Sequence, residues 1–89
     1  MTESMTRAEV LRGISEVART HLALAQELRP EMQLIEDLRL DSLRLLTLAV
    51  EVENRFRIRL EPDEEATIAT VGDLVTIVER KLRAEANER

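Results

Sequence analysis

The stretch Asp41-Ser42-Leu43-Arg44-Leu45-Leu46-Thr47-Leu48-Ala49-Val50-Glu51-Val52-Glu53-Asn54-Arg55-Phe56 decides the fold. Asp41 is a good N-cap residue, because its carboxylate accepts backbone N–H bonds of a first helical turn. A helix from Asp41 to about Arg55 is therefore expected. At about 100° per residue, Leu45, Leu48, Ala49, Val52 and Phe56 fall on one stripe. Leu43, Leu46 and Val50 form a second stripe, well around the cylinder from the first. One stripe can face a core. The other fits either a central helix buried on two sides or a docking surface for another protein.

Working upstream, Thr6-Arg7-Ala8-Glu9 has the form of a capping box and opens an earlier helix. Val10, Ile14, Val17, Ala18 and Leu22 then recur at helical spacing. Met1 to Met5 reads as a frayed tail, and His21 as a surface or capping residue near the helix end. From about Ala23 to Leu40 the period is lost and Pro30 interrupts it. A connection this long is usually functional or has docked side chains. Leu28, Met32, Leu34, Ile35 and Leu38 are its candidate anchors, and a short helix from Leu22 to Leu28 stays open. Downstream, Arg57-Ile58-Arg59-Leu60 alternates, which points Ile58 and Leu60 inward, and Glu64 to Ile68 fits a turn or two of helix. The acidic run Glu61 to Glu65 reads as a solvated helix start, since no glycine-containing calcium loop is present. Thr70-Val71-Gly72-Asp73 repeats the helix-start signal, and Val71, Leu74, Val75, Val78 and Leu82 carry a stripe to about Arg83.

Composition narrows the class. The 89 residues allow one domain, expected over 6–84 between tails at 1–5 and 85–89. Phe56 is the only aromatic residue, and two Gly and two Pro leave few turns for a β-sandwich. The core must be aliphatic, and the expected fold is all-α: a small bundle of three main helices and a short one, with a long loop between the first two. The formal charge of −5 argues against a nucleic-acid binder. With no Cys and one His there is neither a disulfide framework nor a thiolate or multi-histidine metal site. No apolar run is long enough to cross a bilayer, so a cytoplasmic protein without membrane partners is expected. Gly-rich phosphate loops, HExxH, GxSxG and Cys nucleophiles are all missing, which argues against an enzyme.

One segment places a hydroxyl at the first turn of a helix, beside the unexplained stripe: Asp37-Leu38-Arg39-Leu40-Asp41-Ser42-Leu43. Extended upstream to Leu34, it resembles the attachment region of acyl carrier proteins, whose pattern is close to D-L-G-x-D-S-L. Glu53, Phe56, Ile58, Pro62, Asp63, Glu64, Ile68 and Thr70-Val71-Gly72-Asp73-Leu74 follow that family's order and approximate spacing. The resemblance covers about Leu28 to Leu82.

That resemblance implies a free-standing, non-catalytic carrier bearing a covalent 4′-phosphopantetheine arm on Ser42, with Asp41 as motif residue and helix cap. A phosphopantetheinyl transferase would install the arm, an acyltransferase or ligase would load it, and a synthase or transferase would unload it, the carrier itself working as a monomer. A helix N-terminus suits the arm's phosphate. The resemblance also assigns Leu43, Leu46 and Val50 to partner docking, joined here by Arg44, Thr47 and Arg55. It matches Leu34, Ile35, Ala66 and Ile68 to positions that help line an acyl-accommodating interior in some relatives. Two departures stand out. Arg39 occupies the usual Gly position, where any requirement for positive φ would strain it. Arg44 and Thr47 stand where fatty-acid-type carriers usually show acidic residues. These features point to a dedicated carrier in polyketide or other specialised natural-product assembly. An aminoacyl or peptidyl carrier and an unmodified helical adaptor are the alternatives.

Overall fold

The computed structural model describes residues 6–87, with side chains described to residue 84. Four helices follow one another: α1 (Arg7–Leu22), α2 (Ser42–Phe56), α3 (Pro62–Glu65) and α4 (Val71–Asn87). No strand forms among the described residues, and the expected all-α bundle is the one observed.

Each long helix begins where its side chains can satisfy orphan N–H groups. Thr6 Oγ1 accepts from Glu9 N–H at 3.2 Å while Glu9 returns a bond to Thr6 N–H at 2.8 Å. Asp41 Oδ1 accepts from Arg44 N–H at 2.9 Å. At α4 the Thr70 hydroxyl accepts from Asp73 N–H at 3.0 Å, and Asp73 accepts from Ala69 and Thr70 N–H at 2.9 and 3.0 Å. Those two backbone donors hold the Asp73 carboxyl below its ordinary pKa.

The core is aliphatic, as the composition requires. Val10, Ile14, Val17, Ala18 and Leu22 of α1 are buried against Leu48, Val52 and Phe56 of α2 and Val71, Leu74, Val75, Ile77 and Val78 of α4. α1 packs on both α2 and α4. Glycine is used for close approach. A Cβ on Gly13 would stand 2.6 Å from Cζ of Phe56, and one on Gly72 would stand 3.1 Å from the Pro30 carbonyl oxygen. The three left-handed positions among the described residues are instead held by Ala23 (φ 58°), Arg39 (φ 61°) and Arg57 (φ 59°).

The connection between α1 and α2 is irregular but firmly attached. Gly72 and Val71 N–H donate to the Pro30 and Met32 carbonyls at 2.8 and 2.9 Å, and Leu34 N–H donates to the Ala69 carbonyl at 3.0 Å. These bonds stitch the loop to the first turn of α4 and to Ala69 just before it. Leu28, Leu34, Leu38 and Leu40 are buried, and Met32 packs on the core half-buried. Ile35 does not anchor the loop: it is 60% exposed. The tight turn of residues 33–39 places it opposite the buried Leu34 and Leu38.

Other boundaries shift. No helix forms between Ala23 and Leu28, because α1 stops at a left-handed Ala23. α3 starts at Pro62, two residues before the expected Glu64, since proline suits a first helical position. α4 continues to Asn87, past the last apolar residue of its stripe. The tail expected at Met1 to Met5 lies outside the described residues. His21 is exposed, as expected of a surface residue, and its Nε2 lies 3.3 Å from Glu51 of α2. Among the described residues no helix is long and apolar enough to cross a membrane.

Candidate functional site

Ser42 is the first residue of α2 and is exposed. Its position is fixed from both sides. Leu38 and Leu40 are buried before it, and Leu45 packs half-buried one turn after it. Asp41, extended at φ −91° and ψ −176°, turns the chain into the helix; its carbonyl accepts Leu45 N–H at 2.8 Å. The cap thus engages the N–H groups of Arg44 and Leu45. Those of Ser42 and Leu43 have no partner among the described residues and lie at the positive end of the helix dipole.

Ser42 stands at the edge of an open pocket of about 410 Å³ between α2, α3 and the 60–68 segment. Leu34, Leu45, Leu48, Leu60, Ala66 and Ile68 line it, and Ser42 and Glu65 are its polar members. Leu34, Ala66 and Ile68 therefore lie where the resemblance put them, whereas Ile35 points outward. Leu60 is held in the wall by its own N–H, which donates to Glu53 Oε2 at 2.7 Å. Glu53 also accepts Arg57 and Ile58 N–H on its carbonyl, so one residue ends α2 and fixes the following strap. Periodicity could not assign that role to a carboxylate. On the far side, α3 has no buried residue and is joined to α4 by Lys81 Nζ and Glu64 Oε1, 2.8 Å apart. The lysine, with the Glu61 N–H, lowers the Glu64 pKa.

The two stripes of α2 differ in burial, although Leu46 of the outer stripe also lines the pocket. Leu48, Val52 and Phe56 are buried, while Leu43, Leu46 and Val50 are 71%, 56% and 41% exposed. With Ile35 they make up the exposed large hydrophobic residues of the described chain. The polar residues expected beside them divide. Arg44 is exposed. Thr47 turns its hydroxyl back onto the Leu43 carbonyl at 3.1 Å, and Arg55 pairs with Glu16 of α1 at 2.7 Å.

An exposed serine at a capped helix start, an apolar pocket beside it and a bare apolar ridge along the same helix make a combination that can be compared with known families. The family pattern described as "Phosphopantetheine attachment site" matches residues 8–78. The chain belongs to the acyl carrier protein family. It is 30% identical over 78 residues to a meromycolate extension acyl carrier protein of Mycobacterium leprae, covering 86% of this chain and 68% of that one. An acyl carrier protein of Arthrobacter sp. is 32% identical over 71 residues, covering 79% of this chain and 88% of that relative. A solved chain from Mycobacterium tuberculosis, itself assigned as an acyl carrier protein, superposes with a TM-score of 0.71 at 30% identity over 75% of this chain and 90% of that one.

Membership fixes the coarse chemistry. Phosphopantetheine is the group such a domain attaches, and the protein is a carrier that works with partner synthases and transferases rather than a catalyst. The site fits the group. An attachment residue must offer an accessible hydroxyl and tolerate a phosphodiester, and Ser42 combines exposure with first-turn N–H groups left open to an anion.

Proposed function

We propose that Ser42 bears the 4′-phosphopantetheine arm and that the protein shuttles thioester-bound acyl groups between the enzymes of a specialised chain-assembly pathway. The observation that carries this reading is the exposed Ser42 hydroxyl at the edge of the 410 Å³ pocket. When attached, the arm supplies a mobile thiol that holds acyl groups as thioesters. The chain's own residues do the rest. Asp41 holds the first turn of α2 in place, and the N–H groups of Ser42 and Leu43 would be the donors open to the arm's phosphate. Leu34, Leu45, Leu48, Leu60 and Ile68 offer an acyl chain an apolar surface to lie against. Activation of the Ser42 oxygen falls to the transferase, because no side chain among the described residues makes a hydrogen bond to Ser42.

The ridge of Leu43, Leu46 and Val50 is the docking surface for that transferase and for the acyltransferase or ligase and the synthase that load and unload the arm. Arg44 borders the ridge. Arg55, paired with Glu16, contributes only where a partner displaces that carboxylate.

Two contexts have support. The place of Arg44 and Thr47 on α2 favours a dedicated natural-product carrier of the polyketide type. The mycobacterial relatives, named for meromycolate extension, favour growth of a long lipid chain, and a mainly apolar pocket suits such a cargo. Protein isolated from its native host, treated with hydroxylamine to release thioester cargo, tests this directly. A released aliphatic or polyketide acyl group supports the reading, whereas a released amino acid replaces it with an aminoacyl carrier.

A further inference from the structure

We infer that Glu65 makes the pocket beside Ser42 selective by charge: it shelters acyl chains that are neutral beside the thioester and turns away those that carry a carboxylate there, the alkylmalonyl class. This rests on Ser42 being the attachment residue and names the cargo class of that same site. The pocket has a floor and a rim. Leu34, Leu48, Leu60 and Leu74 are buried and make the floor. The exposed lining residues make the rim: Ser42 and Leu46 from α2, and Pro62, Glu65 and Ala66 from α3 and its C-cap. Glu65 is the one ionisable side chain in the lining.

Glu65 is held at that rim by its backbone. Its N–H donates to the Glu61 carbonyl at 2.9 Å, and its carbonyl accepts Ile68 N–H at 3.2 Å. Its carboxylate makes no hydrogen bond or ion pair among the described residues. The nearby cations do not offset the acids of this side. Lys81 Nζ lies 2.8 Å from Glu64 Oε1, and Arg80 also acts on Glu64. Even with Arg59 added to those two, Glu61, Asp63, Glu64 and Glu65 outnumber the cations.

A carboxylate on the cargo then has no good place. On the floor it would lose its water against leucine side chains that offer no donor in return. At the rim it meets the Glu65 carboxylate, and like charges in a partly desolvated cleft repel more strongly than in bulk water. An acyl group that is neutral near its thioester meets neither obstacle, and each methylene laid on the floor adds to its retention. The pocket therefore suits a growing or finished chain and leaves a carboxylated building block in solvent.

Carriers loaded with matched acyl groups test this. A broad-specificity phosphopantetheinyl transferase attaches octanoyl-, 2-methyloctanoyl- or 2-carboxyoctanoyl-phosphopantetheine from the corresponding coenzyme A thioester, so that all three share one tail. Tm is measured for each on wild type, Glu65→Gln and Glu65→Lys, against the unacylated holo form. Octanoyl and 2-methyloctanoyl are expected to raise the wild-type Tm by about 4 °C or more, and 2-carboxyoctanoyl by less than about half as much, since a sheltered tail stabilises the folded chain. That gap should narrow in Glu65→Gln, close in Glu65→Lys and shrink as salt rises. The Gln variant alone decides the point if the Lys variant fails to fold. A gap of equal size in wild type and Glu65→Gln overturns the inference, as does a wild-type Tm that octanoyl leaves unmoved or a 2-methyl group that matches the carboxylate's effect. Intact mass separates the two levels: full conversion without the charge effect defeats only this inference, while no conversion of wild type defeats the carrier reading along with it.

Discussion

The ring of Phe56, the only aromatic residue in the chain, lies over Gly13 so closely that a Cβ there would stand 2.6 Å from Cζ. The contact brings α1 and α2 together at the end of α2 remote from Ser42, and so helps set the angle at which the serine end is presented. Alanine at position 13 gains helix propensity of about 0.5–1 kcal/mol but must displace a buried ring, and such overpacking costs about 1–3 kcal/mol. Gly13→Ala is therefore expected to lower unfolding free energy by about 1 kcal/mol in a urea titration. An increase in stability would show that the ring moves freely.

Arg39 behaves oppositely. Arg39→Gly removes left-handed strain worth roughly 1–2 kcal/mol but adds backbone entropy to the unfolded chain, worth about 0.4–1 kcal/mol. A net gain of several tenths of a kcal/mol is expected in the same titration. If glycine destabilises the protein, the arginine stem contributes packing that its exposure does not suggest.

Much of this architecture could be read before the structure. The capping signals at Thr6, Asp41 and Thr70 placed the starts of the three long helices, because capping is local chemistry written in adjacent residues. The separation of Leu43, Leu46 and Val50 from Leu48, Val52 and Phe56 followed from helical period alone. What period cannot supply is the direction of a side chain in an aperiodic loop, so Ile35 was expected in the core and is exposed. Nor could spacing reveal that Glu53 ties down Leu60, that His21 meets Glu51, or that Arg55 turns to Glu16, since each depends on how distant segments pack. The motif around Ser42 was legible as a resemblance, whereas the pocket beside it required the fold.

Asp73 sets an acid limit. Its carboxyl is held below the ordinary value of 3.8 by the Ala69 and Thr70 N–H groups, so its contribution is fully present above the unfolded value and is lost as pH falls through the folded one. Stability should fall on acidification below about pH 4, the usual aspartate range. Asp73→Ala should lose about 1 kcal/mol at neutral pH, as for other lost capping side chains, and show a shallower acid slope. Parallel acid titrations of the two proteins would contradict this.

The two faces of α2 predict opposite mutational behaviour. Leu48→Ala, at a buried position, should cost about 2–5 kcal/mol. Leu46→Ala, at a residue 56% exposed, should change stability by no more than about 0.5 kcal/mol while lowering transferase kcat/KM. Equal stability losses, or an unimpaired Leu46→Ala carrier, would remove the docking role of the ridge.

Intact-mass spectrometry after incubation with coenzyme A, magnesium and a broad-specificity phosphopantetheinyl transferase tests the central claim most directly. The account predicts a mass gain of one phosphopantetheinyl group on the wild-type chain and none on Ser42→Ala. A wild-type chain left unmodified beside a converted control carrier, or a gain that persists in Ser42→Ala, would contradict it.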